Sequence, residues 1–192
     1  VLMWGAGTYR KSNPYLAVTP GRTYATGEGT RYFSGLDPAG KPTWTADESR
    51  AAPLFEQPEV GDFSVSFVPQ LDLWLLLYDV WPGRGAARDR AGVQLRTSAT
   101  PWGPWSAPEQ VLRLVDAKEG KLVHMANTDD GLEWPRVDAR GKSRKEQGAP
   151  YAPYVIERFT RVEGDRLKLY YLLSTWNPYV VVLMRSEFTV RR

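Results

Sequence analysis

Apolar residues along this chain come in short runs, some continuous and some alternating with polar residues, bounded by Gly, Pro, Asn and Asp. Sustained spacing of three and four, the mark of an amphipathic helix, is nearly absent, so the pattern predicts strands with few and short helices. The runs fall into three groups. The first holds Val1 to Gly7, Pro14 to Thr19, Arg31 to Leu36 and a weaker run at Pro53 to Phe55. The second holds Asp62 to Val68, Leu73 to Val80, Val93 to Ser98 and Glu109 to Leu114. The third holds Tyr154 to Arg161, Leu167 to Thr175 and Tyr179 to Phe188. The longest apolar stretch, Leu71 to Trp81, contains Asp72 and Asp79 and is far shorter than the roughly 20 residues a membrane-spanning helix needs, so it is read as a buried strand and no membrane span is expected.

The groups repeat one another. Leu73-Trp74-Leu75-Leu76-Leu77-Tyr78 is matched by Leu167-Lys168-Leu169-Tyr170-Tyr171-Leu172-Leu173, and the strand after each carries an Arg and a Ser, in Leu95-Arg96-Thr97-Ser98 and in Leu183-Met184-Arg185-Ser186. Ordered repetition of short strands is the sequence form of a β-propeller or solenoid. A blade's central strands lie between neighbouring blades and read as continuous apolar runs, while outer strands alternate. The reading is therefore all-β, one domain over residues 1–192, with about three blades of a five-bladed propeller and the N-terminal blades expected to be missing. The start at Val1, within a strand and with no leader, adds to that expectation of an N-terminal truncation.

Composition changes this picture little. The chain has 192 residues, 42% apolar and 24% charged, enough for one well-buried domain and unlike a disordered one. Eight Trp, ten Tyr, 15 Pro and 17 Gly suit short strands and tight turns. A net charge of +3, spread along the chain, does not call for nucleic acid. Cysteine is absent, which removes disulfides and thiolate metal sites and leaves the compartment open between an exported bacterial protein and a cytosolic one.

Residues 116–148 form a long polar stretch, with Asn127-Thr128-Asp129-Asp130-Gly131 followed by Arg136, Arg140, Lys142, Arg144 and Lys145, and are read as a surface insertion. Three other segments carry candidate chemistry. Trp4-Gly5-Ala6-Gly7-Thr8-Tyr9-Arg10-Lys11-Ser12-Asn13-Pro14-Tyr15 joins two strands, and its glycines permit a turn from which Tyr9, Arg10 and Ser12 project together. Pro150-Tyr151-Ala152-Pro153-Tyr154 sets two tyrosines at the start of a strand, and Ser174-Thr175-Trp176-Asn177-Pro178-Tyr179 sets Trp, Asn and Tyr at a hairpin. Tyrosine, tryptophan, arginine and asparagine together suit a sugar, which offers hydroxyls to polar groups and an apolar ring face to aromatics. The competing reading is hairpins whose aromatics cover a core. Thr100-Pro101-Trp102-Gly103-Pro104-Trp105-Ser106-Ala107-Pro108 reads as a structural corner.

Glycosidic hydrolysis normally needs two carboxyl groups, about 5 to 5.5 Å apart for retention or about 6.5 to 9.5 Å apart for inversion. No such pair is named by spacing. Asp72, Asp79 and Glu157 lie in or beside strands, whereas Asp37, Asp47, Asp129 and Asp130 sit in turn-like contexts. Alternation would put Tyr154, Ile156 and Arg158 on one strand face and Val155, Glu157 and Phe159 on the other. His124 is the single histidine and has no ligand spacing around it, and Asn127 to Asp130 reads as a turn before it reads as a calcium loop, so no metal or cofactor is expected. A Ser-His-Asp set and a phosphate-binding glycine loop are likewise not formed.

With these residues in hand, the chain resembles, nearly end to end, the bacterial propeller family known as domain of unknown function 4185. The resemblance rests on Trp4-Gly5-Ala6-Gly7 with Tyr9-Arg10 and Ser12, on Pro101-Trp102-Gly103-Pro104-Trp105-Ser106, on Tyr151-Ala152-Pro153-Tyr154, and on Ser174 to Tyr179 followed by Leu183-Met184-Arg185. It implies a five-bladed carbohydrate-active fold of which this chain is the later blades, and related proteins that are glycoside hydrolases cutting D-arabinan of the mycobacterial cell wall. The leading expectation is an exported glycoside hydrolase, secreted or at a bacterial cell surface, whose polysaccharide or oligosaccharide cleft is lined by Tyr9, Arg10, Ser12, Tyr151, Tyr154, Trp176, Asn177 and Tyr179, with the catalytic carboxylates unassigned. The runner-up is a non-catalytic propeller that binds a glycan or another protein. A third reading makes Arg136 to Lys145 a site for anionic polymers, with affinity that falls steeply with salt.

Overall fold

The computed structural model describes residues 1–81, 90–119, 136–137, 139–141, 143–144 and 149–190. Three four-stranded antiparallel sheets account for nearly all of it. The first is a meander of β1 (Leu2–Ala6), β2 (Pro14–Val18), β3 (Arg31–Leu36) and β4 (Pro42–Thr45), paired in that order. The second is β5 (Val60–Val68), β6 (Leu73–Val80), β7 (Gly92–Ser98) and β8 (Glu109–Arg113), again in chain order. One short helix, α1 (Leu114–Glu119), and a two-stranded hairpin, β9 (Arg136–Val137) with β10 (Ser143–Arg144), follow. The third sheet is built on β13 (Arg166–Thr175), which pairs along its whole length with β14 (Val180–Thr189). Its other edge is shared end to end by β11 (Pro150–Val155) and β12 (Arg161–Glu163).

The all-β expectation is met, with boundaries close to the apolar runs. Two runs were misjudged. Pro53 to Phe55 is not a strand, and the fourth strand of the first sheet is β4 instead. The segment after β4 runs back along the first sheet, its Ala52 N–H donating to Phe33 O at 2.8 Å and its Leu54 N–H to Pro14 O at 2.9 Å. Tyr154 to Arg161 is broken by a turn between β11 and β12, in which Thr160 N–H bonds Ile156 O at 3.0 Å, so the expected alternation stops at Val155 and Glu157 stands exposed in the turn. Of the polar stretch 116–148, residues 120–135, with His124 and Asn127 to Asp130, lie outside the described residues, as do Lys142 and Lys145.

The continuous apolar run of β6 is explained by its two neighbours. Leu75 and Leu77 point into a core shared with Leu167, Leu169, Tyr171 and Leu173 of the third sheet. Leu76 and Tyr78 point the other way, toward Val60, Phe55, Phe63 and Trp105. Strand side chains alternate between faces, so a strand covered on both sides reads as a nearly continuous apolar run, and its one charged residue, Asp79, is buried with its charge paired. A further cluster of Leu16, Phe33 and Leu54 with Trp4, Trp44, Trp102 and Trp105 closes the first sheet against the second, and the proline-tryptophan corner serves this packing. Trp4 Nε1 donates to Pro101 O at 3.3 Å across that boundary. The second and third sheets are tied by Val155 N–H donating to Ser64 Oγ at 3.1 Å.

The repeat seen in the sequence equates β6 and β7 with β13 and β14, yet the two arginines differ in setting. Arg96 on β7 is buried, donating to Tyr78 Oη at 3.1 Å, Gln57 Oε1 at 2.9 Å and Ser106 O at 2.5 Å, with its guanidinium over the Phe55 ring. Arg185 on β14 is exposed, because that strand alternates half-buried and exposed residues and its outer face is open among the described residues.

Candidate functional site

One end of the stacked sheets gathers most of the candidate side chains, and the loop between β1 and β2 begins the assembly. It is a tight structure of its own: Lys11 N–H bonds Thr8 O at 2.9 Å, Ser12 Oγ accepts from Gly7 N–H at 3.0 Å, and Arg10 takes a left-handed φ of 55°. The loop then clasps the second sheet. Ser12 forms a parallel bridge with Glu59, Asn13 Nδ2 donates to Glu56 Oε2 at 2.6 Å, and Gln57 N–H donates back to Asn13 Oδ1 at 2.7 Å.

Two carboxylates of the second sheet receive the projecting pair. Tyr9 Oη donates to Asp62 Oδ2 at 3.2 Å, and Arg10 Nη2 donates to Asp79 Oδ2 at 2.8 Å. The Arg10 guanidinium also lies 4.7 Å from the Tyr9 ring centroid and 5.3 Å from that of Trp81. Asp79 is almost fully buried, and its other oxygen accepts the Asp62 N–H at 2.8 Å. Burial pushes the Asp79 carboxyl above its ordinary range despite the ion pair, and the Asp62 charge adds to that. Tyr9 is pushed up as well, first by withdrawal of its hydroxyl from water and then by the Asp79 charge. Gly61 leaves the room Asp79 needs: a Cβ at that position would stand 2.7 Å from the Asp79 Cγ.

The third sheet closes the group. Tyr151, on the β11 strand that Val155 N–H ties to Ser64 Oγ of β5, has its phenol pushed up by burial and then by Tyr179 and by the Asp62 charge. Tyr179 follows β13 and is 77% exposed. Trp176 is half-buried, its backbone N–H donating to Ala149 O at 3.3 Å. Asn177 is buried with φ 52°, a left-handed position that asparagine tolerates, at the turn of the hairpin. Tyr154 stands apart: a bulge between Tyr151 and Tyr154 sends it to the outer face of the third sheet, 62% exposed and opposite Leu172. Ser12 serves within the loop.

Asp62, Trp81 and Gly61 were missed by sequence reasoning. Asp62 starts an apolar alternation and reads there as a strand edge, while Gly61 beside a strand was the one available sign of close approach. The other carboxylates are accounted for locally. Asp37 Oδ1 accepts from Ala39 and Lys41 N–H, Asp47 Oδ1 caps Ser49 N–H, and Asp72 occupies a turn with φ 53°. No group of three potential metal ligands occurs among the described residues, and no helix there is long and apolar enough to cross a membrane. The profile of the family described as Domain of unknown function (DUF4185) matches residues 1–185. No curated protein sequence matches the chain.

Proposed function

The chain belongs to the DUF4185 family, and we propose that it handles a carbohydrate at the end of the sheets where Tyr9, Arg10, Asp62, Tyr151 and Tyr179 converge. The carrying observation is that convergence: the first sheet supplies Tyr9 and the third Tyr151 and Tyr179, while the second supplies the half-exposed Asp62 carboxylate that accepts the Tyr9 hydroxyl and whose charge acts on Tyr151. Aromatic faces stack on sugar rings, and phenols and carboxylates exchange hydrogen bonds with sugar hydroxyls. In this reading the three sheets are blades of a five-bladed propeller, and the protein is part of an exported glycoside hydrolase of bacterial cell-wall polysaccharide such as D-arabinan.

Reducing-end release by the full-length protein on a polysaccharide panel including mycobacterial arabinogalactan tests the reading. Release from one polymer is expected and identifies the substrate. A second reading, a propeller that binds a glycan or a protein without cutting it, is favoured by the state of Asp79, which is buried with both oxygens engaged and leaves Asp62 as the half-exposed member of the two. Binding to a panel member without release supports that alternative. A folded protein that neither binds nor cuts any member refutes the carbohydrate assignment.

A further inference from the structure

We infer that Asp62 is the ligand-contacting carboxylate of this site, accepting a sugar hydroxyl at Oδ1, and that the Arg10–Asp79 pair is its mount. The inference rests on the carbohydrate reading above and adds to it the residue that grips the sugar.

The side chain is held but not used up. Its own N–H is fixed by Asp79 Oδ1 at 2.8 Å, and Oδ2 accepts the Tyr9 hydroxyl at 3.2 Å. An ionised carboxylate offers about four acceptor positions, and among the described residues Tyr9 is the one side chain that donates to it. The nearby cation does not pair with it. Arg10 gives its Nη2 to Asp79, which is more deeply buried and whose charge is more costly to leave alone. Asp62 thus remains half-buried without a cation among the described residues, bonded to the Tyr9 hydroxyl and with its charge acting on Tyr151.

A carboxylate partly withdrawn from water and lacking a cation is stabilised by O–H donors, and hydrogen bonds of hydroxyls to a charged oxygen are roughly twice as strong as neutral ones. A ligand rich in hydroxyls with an apolar ring face meets both needs of the site at once. The mount matters because Asp62 sits in the bulge between the Val60–Val80 and Phe63–Tyr78 pairs of the β5–β6 ladder, where its N–H is taken by the Asp79 carboxylate.

The test is calorimetric titration of the protein with an arabino-oligosaccharide, comparing the native chain with Asp62→Asn, Asp62→Glu and Tyr151→Ala. Asp62→Asn keeps the shape and the backbone N–H while removing the charge, and is expected to weaken binding about tenfold or more with melting unchanged. Asp62→Glu keeps the charge and displaces it, and is expected to weaken binding as well, which serves should the asparagine variant melt early. Native affinity in both Asp62 variants, with loss in Tyr151→Ala, overturns the role of Asp62 and leaves the carbohydrate reading standing. Native affinity in all three, or no binding by the native chain, overturns both.

Discussion

The Arg10 guanidinium and the Asp79 carboxylate meet at 2.8 Å although 69 positions separate them in the chain, and through that contact a loop of the first sheet is moored to the end of the second. Removing the cation leaves a buried carboxylate with the Asp62 N–H but no counterion, which is the costly half of breaking an ion pair. Arg10→Ala is expected to lower unfolding free energy by on the order of 2 to 4 kcal/mol in denaturant titration. Arg10→Lys, which keeps charge but loses the guanidinium contact with the Tyr9 and Trp81 rings, is expected to lose less. Equal stability of Arg10→Ala and the native chain would mean that the loop is held by Tyr9, Ser12 and Asn13 without the ion pair.

Gly61→Ala puts a methyl group into the space of the Asp79 carboxylate. Since that carboxylate is held from both sides, the strain passes to Arg10 and to the Asp62 N–H. A loss of about 1 to 3 kcal/mol is expected, with glycan affinity falling alongside. A variant that melts as the native chain does would show that Asp79 has room to move.

The raised Asp79 carboxyl has a pH signature. Its folded value lies above the unfolded one, so its ionisation opposes folding at neutral pH, and that penalty fades as pH falls through the folded value toward the ordinary aspartate value of about 4. Comparing native and Asp79→Asn melting from pH 7 down to pH 4, the native chain is expected to gain relative to the variant as acid is added. A relative loss would mean that the Arg10 attraction outweighs burial.

Gln57, buried between the first two sheets, accepts from Arg96 at 2.9 Å and from Tyr78 Oη at 2.8 Å, and donates to Gln94 Oε1 at 2.9 Å. Gln57→Leu is close in volume and removes all three contacts, leaving the buried guanidinium short of an acceptor. A loss of about 2 kcal/mol or more is expected by thermal or chemical denaturation, with the oligosaccharide site intact at temperatures where the variant is folded.

At the site itself, Trp176→Ala and Tyr151→Ala are expected to weaken oligosaccharide binding about tenfold while melting shifts little, stacking losses being on the order of 1 kcal/mol per ring. If binding and melting fall together in Trp176→Ala, that residue belongs to the hairpin and not to the cleft.

The strands were legible because burial on both faces writes itself as continuous hydrophobicity, as in β6, and burial on one face as alternation, as in β14. Tyr9, Arg10, Tyr151 and Tyr179 were legible as candidates because they stand at turns in aromatic, polar company. Asp62 and Asp79 were not legible as a pair. Their relation depends on a β-bulge in the β5–β6 register between Val60 and Phe63, which turns the Asp62 N–H onto the Asp79 carboxylate. A bulge of this kind leaves no periodic mark. The turn at Ile156 to Thr160 was missed for a similar reason: Ile156, Phe159 and Thr160 have strand-like side chains, and the break is made by their backbone bonds.

That three separate sheets furnish one site makes each sheet a lever. β13 has ten residues and spans roughly 33 Å at about 3.3 Å per residue, so its end lies some 16 Å from its middle, and a rotation of about 4° at the packed centre carries the tip through about 1 Å. A displacement of that size is enough to spoil a geometry that depends on close alignment. Trimming Leu75 or Leu169, which lie in the core between the second and third sheets, would therefore be felt at Tyr151 and Tyr179 as misalignment, and the hydrocarbon between the sheets acts as the bearing on which the aim of the candidate site turns.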